Sequence, residues 1–289
     1  MRQIPAVRIS SLEDALDRLP EICELFKSTG LLKLQGYGLS RPEQLTFVSK
    51  MGDIFSWNIN TKVVEETAED AVLDLYVFMG GHSDDPHRQK SLVSDYTVDW
   101  HIEQVFYVDT FLAGFWNMYH IGYEDPRAGN THFVDSSELY TLLSEGDKDF
   151  LGKSVVIWDK PIGPKDGFGP YYTKAIDTNK VNGKTTIRLE TDGGCIVPVS
   201  LYKFDGEDPT PEQSARLSQI LTSLKQDLAL KEKLRYVQQW QENDMIIVDL
   251  FRMYHAVTGG FGYGERKFHG TFTRPANYTN NLYDAMEKL

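Results

Sequence analysis

A mainly β fold with flanking helices, arranged as a jelly roll of two facing sheets, is predicted by three features of the sequence. From about residue 71 to 206 the chain runs through short segments of β-type composition: VLDLYVFM, VDWHIEQVFYV, FLAGFWNMYHI, THFVD, KSVVIW, TTIRLE and IVPVSLYKF. Gly, Pro, Asn and Asp clusters separate them, and that density argues for an antiparallel β architecture. The later stretch DMIIVDLFRMYHAVTGGFGYGERKFHGTFTR adds strand, Gly-rich loop and strand. Helical periodicity is confined to the opening of the chain and to one segment after residue 210.

The elements follow in order. Ser11 ahead of Leu12, Ala15, Leu16 and Leu19, and then Ile22, Leu25 and Phe26, predict an opening helix that Pro20 breaks or kinks and Gly30 closes. LLKLQG reads as a short strand. Ser40 and Glu43 form a capping box for a helix that carries Leu45, Val48 and Met51 and ends near Gly52. Thr210, Pro211 and Gln213 form another, with Pro at the first helical position. Behind it Leu217, Ile220, Leu221, Leu224 and Leu228 make an apolar stripe that should cover one face of the sheet. No repeat, low-complexity tract or linker divides the 289 residues, so one domain over 1–289 is expected. With 41% apolar residues and fifteen each of Tyr and Phe, the chain has material for a sizeable core.

Charge narrows the choice of partner. The formal net charge is -12, which opposes a nucleic-acid backbone unless a local basic patch intervenes. The densest basic stretch, Lys231, Lys233 and Arg235, is interleaved with Glu232 and reads as a solvated helix face. A small-molecule substrate fits better. Apolar runs such as Met245 to Val248 are far short of the roughly 20 residues that cross a bilayer. Two cysteines, Cys23 and Cys195, and an opening MRQIPAVRIS without an apolar leader core point to the reducing cytoplasm. Homo-oligomerisation is left open.

The residues that carry chemistry begin with DWHIEQVF. His101 and Glu103 are two apart on a predicted strand, so their side chains share a face and make a two-ligand claw for a metal. His255, after the apolar run MIIVDLF, offers a third ligand from a second strand region. Two imidazoles and one carboxylate leave three positions open on a metal, the arrangement that suits non-haem Fe(II) oxygenases. Taken alone, H-x-E is more often a solvent-facing strand. A rival pair, His82 and Asp84, lies in a Gly- and Asp-rich stretch typical of a surface loop. Cys195 has no His-Asn pattern that would make it a nucleophile.

Across nearly its whole length the chain resembles the taurine dioxygenase (TauD/TfdA-like) group of 2-oxoglutarate oxygenases. GLLKLQGYGLSRPEQLTFVSKMGDIF is similar to the group's N-terminal strand and helix entry, and WHIEQVF stands where the group has Trp-His-x-Asp or Trp-His-x-Glu. AGNTHFVDSSELYTLL resembles its Gly-x-Thr segment and following helix, and the C-terminal block resembles its Asp, His and Arg series.

The resemblance implies a double-stranded β-helix, Fe(II) held by His101, Glu103 and His255, and 2-oxoglutarate and O2 as co-substrates. It implies that Arg266, eleven residues after His255, grips the distal carboxylate of 2-oxoglutarate with its planar fork, and that Thr131 donates a hydroxyl to the same group. Oxidative decarboxylation to succinate and CO2 would then drive oxidation, most simply hydroxylation, of a substrate C–H bond. Desaturation, epoxidation and cyclisation stay open. Glu103 resembles the clavaminate synthase and arginine hydroxylase branch, and its presence argues against halogenation.

Gly270 stands where taurine dioxygenase has a sulfonate-gripping arginine, and alternation puts it on one face with Arg266, Phe268, Phe272 and Arg274. A sulfonate substrate in that pose is therefore not expected, and an amino acid derivative or specialised metabolite is. Asp249 is expected to tie down its strand rather than orient a ligand, though both roles suit it, His269 to lie on the outer face, and Trp100, Trp116, Phe115 and Trp240 to be core or pocket wall. Residues 76–98 and 159–192 are expected to be substrate-contacting loops. A Zn hydrolase could use the same three ligands but not the carboxylate clamp, and a non-catalytic jelly-roll module would be expected to lose a ligand.

Overall fold

The computed structural model describes residues 2–59, 73–74, 96–102, 113–158, 171–179, 182–189, 199–230 and 232–275. The chain opens with β1 (Ala6–Arg8), helices α1 (Leu12–Asp17) and α2 (Leu19–Thr29), and β2 (Leu31–Gln35). The Ser11 side chain accepts from the Asp14 amide to start α1, Pro20 sits in the first turn of α2, and Gly30 closes α2 at φ 71°. Pro20 therefore begins a second helix at the predicted break. Helix α3 (Arg41–Phe55) has the predicted Ser40–Glu43 capping box. It continues a turn past Gly52 before Ser56 caps it in the left-handed region.

Strands β3 (Trp57–Ile59), β4 (Leu73–Asp74), β5 (Tyr96–His101), β6 (Ala113–Ile121) and β7 (Thr131–Asp135) precede α4 (Ser136–Leu142) and α5 (Glu145–Gly152). Helix α5 was not expected; Ser144 caps it by accepting from the Asp147 amide. After β8 (Ser154–Trp158), β9 (Tyr171–Lys174), β10 (Ile176–Thr178), β11 (Thr185–Ile187) and β12 (Val199–Phe204) comes α6 (Pro211–Leu230). The last strands are β13 (Tyr236–Gln238), β14 (Met245–Asp249), β15 (Met253–Thr258) and β16 (Arg266–Pro275).

Two sheets face each other. The larger has the order β1-β2-β14-β6-β16-β3, with β4 also on β16, and the smaller has β13-β7-β15-β5. Both are antiparallel except for β1 beside β2, which run parallel because α1 and α2 form the crossover between them. A further sheet, β12-β8-β9, and the β10-β11 hairpin complete the strand set among the described residues.

Alternation assigns each residue its layer. In β14, Ile246 and Val248 point between the sheets to join Trp116, Phe133, Trp240 and Phe272, while Met245 and Ile247 point outward to Phe26, Phe47 and Val48 of the helices. Covered on both faces, β14 reads as the unbroken apolar run MIIV. The outer face of the small sheet, Trp100, Val134, Tyr254 and Ala256, packs with the α6 stripe, of which Leu217, Ile220, Leu221, Leu224 and Leu228 are all buried. The Thr210–Gln213 box holds the start of α6 through reciprocal bonds of 2.8 and 3.3 Å. Arg235 departs from the solvated face expected for it: it is buried, donates to the Leu228 carbonyl at the end of α6, and lies over the Trp100 ring. No helix among the described residues is long and apolar enough to cross a membrane.

Candidate active site

The inner face of the small sheet gathers the histidines. In β5, Trp100 turns outward and Ile102 just beyond the strand is buried in the same outer cluster, so His101 between them turns inward. In β15, Tyr254 and Ala256 turn outward and His255 inward. The register pairs His101 directly with His255, and their rings stand 4.0 Å apart. On its other side His255 is paired with Phe133 of β7, and the Trp116 indole of the facing sheet lies 5.1 Å from its ring. A backbone carbonyl only accepts, so the 2.9 Å contact of His101 Nδ1 with the Asp99 carbonyl makes Nδ1 the donor. A neutral ring then carries its lone pair on Nε2, the tautomer a metal-binding imidazole needs.

Glu103, the third predicted ligand, lies outside the described residues, as do His82 and Asp84 of the rival pair. Among the described residues no three His, Cys, Asp or Glu side chains gather as a metal site.

Arg266 and Thr131 stand side by side. Arg266 is 4% exposed, and its Nη2 donates to the Thr131 hydroxyl at 3.0 Å. Burial pushes the guanidinium down to about 10, so it is still charged at neutral pH. Trp240, Phe261 and Phe268 surround it with ring centroids 5.6 to 5.9 Å from the guanidinium carbon. No carboxylate of the described residues pairs with it, and its Nε has no hydrogen-bond partner. A buried charge normally has a partner, so this arrangement suits an incoming anion.

The Thr131 hydroxyl also accepts from Trp240 Nε1 at 2.9 Å. With both lone pairs engaged, its proton must point to a third atom, which has to be an acceptor. Trp240, expected only as a wall, therefore sets the polarity of Thr131. Nothing in the sequence marks that contact, because the partners lie 109 residues apart.

Gly270 pairs with Trp116 across β16 and β6, and Phe268 and Phe272 share the inner face with Arg266. His269 is on the opposite face, as alternation requires, but it is only 8% exposed: its ring lies against Tyr119 and Gln44 of α3 donates to its carbonyl. Asp249 is fully buried. It accepts from Asn179 Nδ2 at 2.7 Å and from the Phe251 amide at 3.1 Å, tying the turn between β14 and β15. Burial pushes its carboxyl up to about 7. Beside it Arg252 and Asp135 form a buried ion pair. Cys23 is buried, and burial raises its thiol to about 11, which makes it inert. Residues 76–95 and 159–170 of the expected loop segments fall outside the described residues, as does Cys195, but the segment 159–192 is not a single loop, because it contains strands β9, β10 and β11.

A taurine dioxygenase from Burkholderia xenovorans superposes with a TM-score of 0.65 at 11% identity, over 94% of this chain and 88% of that one. AAD-2, crystallised with Mn(II) and N-oxalylglycine, superposes with a TM-score of 0.63 at 14% identity, over 97% and 98%. These likenesses establish the jelly-roll fold. No curated protein matches the chain in sequence. The family model for taurine catabolism dioxygenase TauD, TfdA family matches residues 3–272. The chain therefore belongs to the TauD/TfdA family and is a dioxygenase that uses Fe(II), 2-oxoglutarate and O2.

Proposed function

We propose that this dioxygenase, one catalytic domain over residues 1–289, hydroxylates a C–H bond of a small molecule, an amino acid derivative or specialised metabolite, in the cytoplasm. In this reading His101, Glu103 and His255 hold the iron, and Arg266 with Thr131 seats the distal carboxylate of 2-oxoglutarate. The observation that carries it is Arg266: a buried guanidinium with no carboxylate partner among the described residues, joined to a hydroxyl whose proton seeks an acceptor.

The residues present fit both groups. His101 and His255 stand side by side with the His101 tautomer that presents Nε2. When bound, iron supplies the coupling of O2 reduction to oxidative decarboxylation of 2-oxoglutarate, giving succinate and CO2. The protein's own part is binding and exclusion. Arg266 and Thr131 fix one end of the co-substrate, and the Trp116, Phe133 and Trp240 rings exclude water from the space between the sheets. A Glu in the triad, as in the clavaminate synthase and arginine hydroxylase branch, keeps a carboxylate at the metal and argues against halogenation. Gly270 opposite Trp116 supports a substrate other than a sulfonate held by an arginine at that position.

The test is a graded series. Arg266→Lys keeps charge and loses the fork, and Arg266→Ala loses both, so 2-oxoglutarate affinity should fall in that order, by roughly 30-fold or more for alanine. Metal binding should hardly change. Parent-like affinity in Arg266→Ala would withdraw the co-substrate assignment. His101→Ala, Glu103→Ala and His255→Ala should each abolish succinate release with the fold retained, Glu103→Asp should keep part of it, and a metabolite panel read by succinate release would identify the substrate.

A further inference from the structure

We propose that the Tyr123 hydroxyl is a third donor to the distal carboxylate of 2-oxoglutarate, held in place by the bare backbone of Gly129. This rests on the reading of Arg266 and Thr131 given above. The Tyr123 hydroxyl is buried, yet it makes no hydrogen bond of good geometry with any described residue. Buried tyrosine hydroxyls usually find a partner, and one left without is costly to stability.

Its neighbour explains the missing partner. The Tyr123 hydroxyl sits beside Arg266, near enough that each alters the other's proton affinity. A guanidinium carries only N–H donors. A hydroxyl beside it can offer only its lone pairs and must turn its proton elsewhere. Thr131 is in the same position for the same reason. Two hydroxyl protons and the guanidinium N–H groups thus converge, with no acceptor among them. A carboxylate, with about four lone-pair sites, fits such a seat; a cation or an apolar group does not. Burial also raises the phenol's pKa, so it keeps the proton it would donate.

The seat is built for the ring. Gly129, two residues before Thr131, has φ +60°, and a Cβ there would stand 2.8 Å from the Tyr123 hydroxyl oxygen and 2.9 Å from the ring carbon that bears it. Only a residue without a side chain lets the phenol lie against this turn. Phe261 holds the ring at 6.2 Å between centroids and also flanks Arg266. The glycine of the Gly-x-Thr segment therefore has a physical purpose, which is to clear the path by which Tyr123 reaches the guanidinium.

The experiment compares two ligands on Mn(II)-loaded protein by titration calorimetry: 2-oxoglutarate, and 2-oxopentanoate, which has the same carbon chain without the distal carboxylate. Tyr123→Phe should weaken 2-oxoglutarate binding roughly tenfold or more, as loss of a hydrogen bond to a charged group does, and leave 2-oxopentanoate unchanged. Without ligand, Tyr123→Phe should melt close to the parent temperature, because the hydroxyl's proton has no acceptor among the described residues and only its lone pairs face Arg266. Gly129→Ala should shift 2-oxoglutarate affinity in the same direction. Arg266→Ala, run in parallel, separates the two layers of the argument. If it loses preference for 2-oxoglutarate while Tyr123→Phe binds both ligands like the parent, Tyr123 is only a wall and the proposal is overturned. Equal weakening of both ligands by Tyr123→Phe would likewise overturn it, as the mark of a packing role. If Arg266→Ala keeps the preference, the co-substrate seat itself is misplaced, and the Tyr123 proposal falls with it.

Discussion

Burial moves two charges in this protein in directions that have different consequences. Arg266 is pushed down to about 10 and stays cationic at neutral pH, as holding an anion requires. Asp249 is pushed up to about 7 from an ordinary 3.8, so between about pH 4 and pH 7 the folded protein holds a proton that the unfolded chain has released. Stability should therefore fall as pH rises across that window and stay lower above it. Asp249→Asn cannot titrate and should lack that slope, so urea unfolding should show the parent losing on the order of 2 kcal/mol relative to the variant between pH 5 and pH 8. A constant gap between the two would mean that the carboxyl is ionised throughout. The residues that form motifs were legible: Arg266 and Thr131 were reached by their place in an ordered series, and they touch. Tyr123 and Trp240 were not, because what defines them is a contact across the fold, and neither stands at a spacing that a local pattern could register.

Among the elements, α6 was the most legible, because its capping box and five-residue stripe both act within the helix. They also make its two contributions separable. Thr210→Ala should lower stability by about 1 kcal/mol through lost capping, and Leu224→Ala by about 2–5 kcal/mol through the cavity left against the outer cluster. Denaturant midpoints would read both, and a larger effect from the cap than from the cavity would contradict the packing described here. The elements missed were the shortest. Strand β1 has three residues, too few to show alternation, and it exists because β2 offers an edge. Helix α5 carries a Ser144–Asp147 cap that could have been read, but its apolar positions, Phe150 and Leu151, are too few to stand out. Arg235 was misread for a related reason: charge pattern marks a residue as polar and cannot show that a helix end and an indole await it.

At the scale of the molecule, the facing of two antiparallel sheets was foreseeable, since strands with one face apolar must bury it against another layer. What the sheets enclose was foreseeable only in part, because Arg266 and Thr131 belong to motifs whereas Tyr123 and Trp240 reach them only across the fold. Ligand linkage offers a global measurement. Mn(II) with 2-oxoglutarate at about a hundred times its dissociation constant should stabilise the fold by about 2.7 kcal/mol over the metal-only form, seen as a higher melting temperature. His101→Ala should lose the metal-dependent share of that rise, and an unchanged rise would remove His101 from the site. The direct pairing of His101 with His255 has a mechanical side as well. Strand β5 is the outermost of its sheet and, among the described residues, pairs only with β15. An ion gripped by both imidazoles would be a cross-link between positions about 150 residues apart, restricting the unfolded chain and pinning a strand that, among the described residues, hydrogen bonds hold from one side only. Iron would then be a fastener as well as a reagent, and protein made in an iron-starved cell would present a loosened flank to proteases.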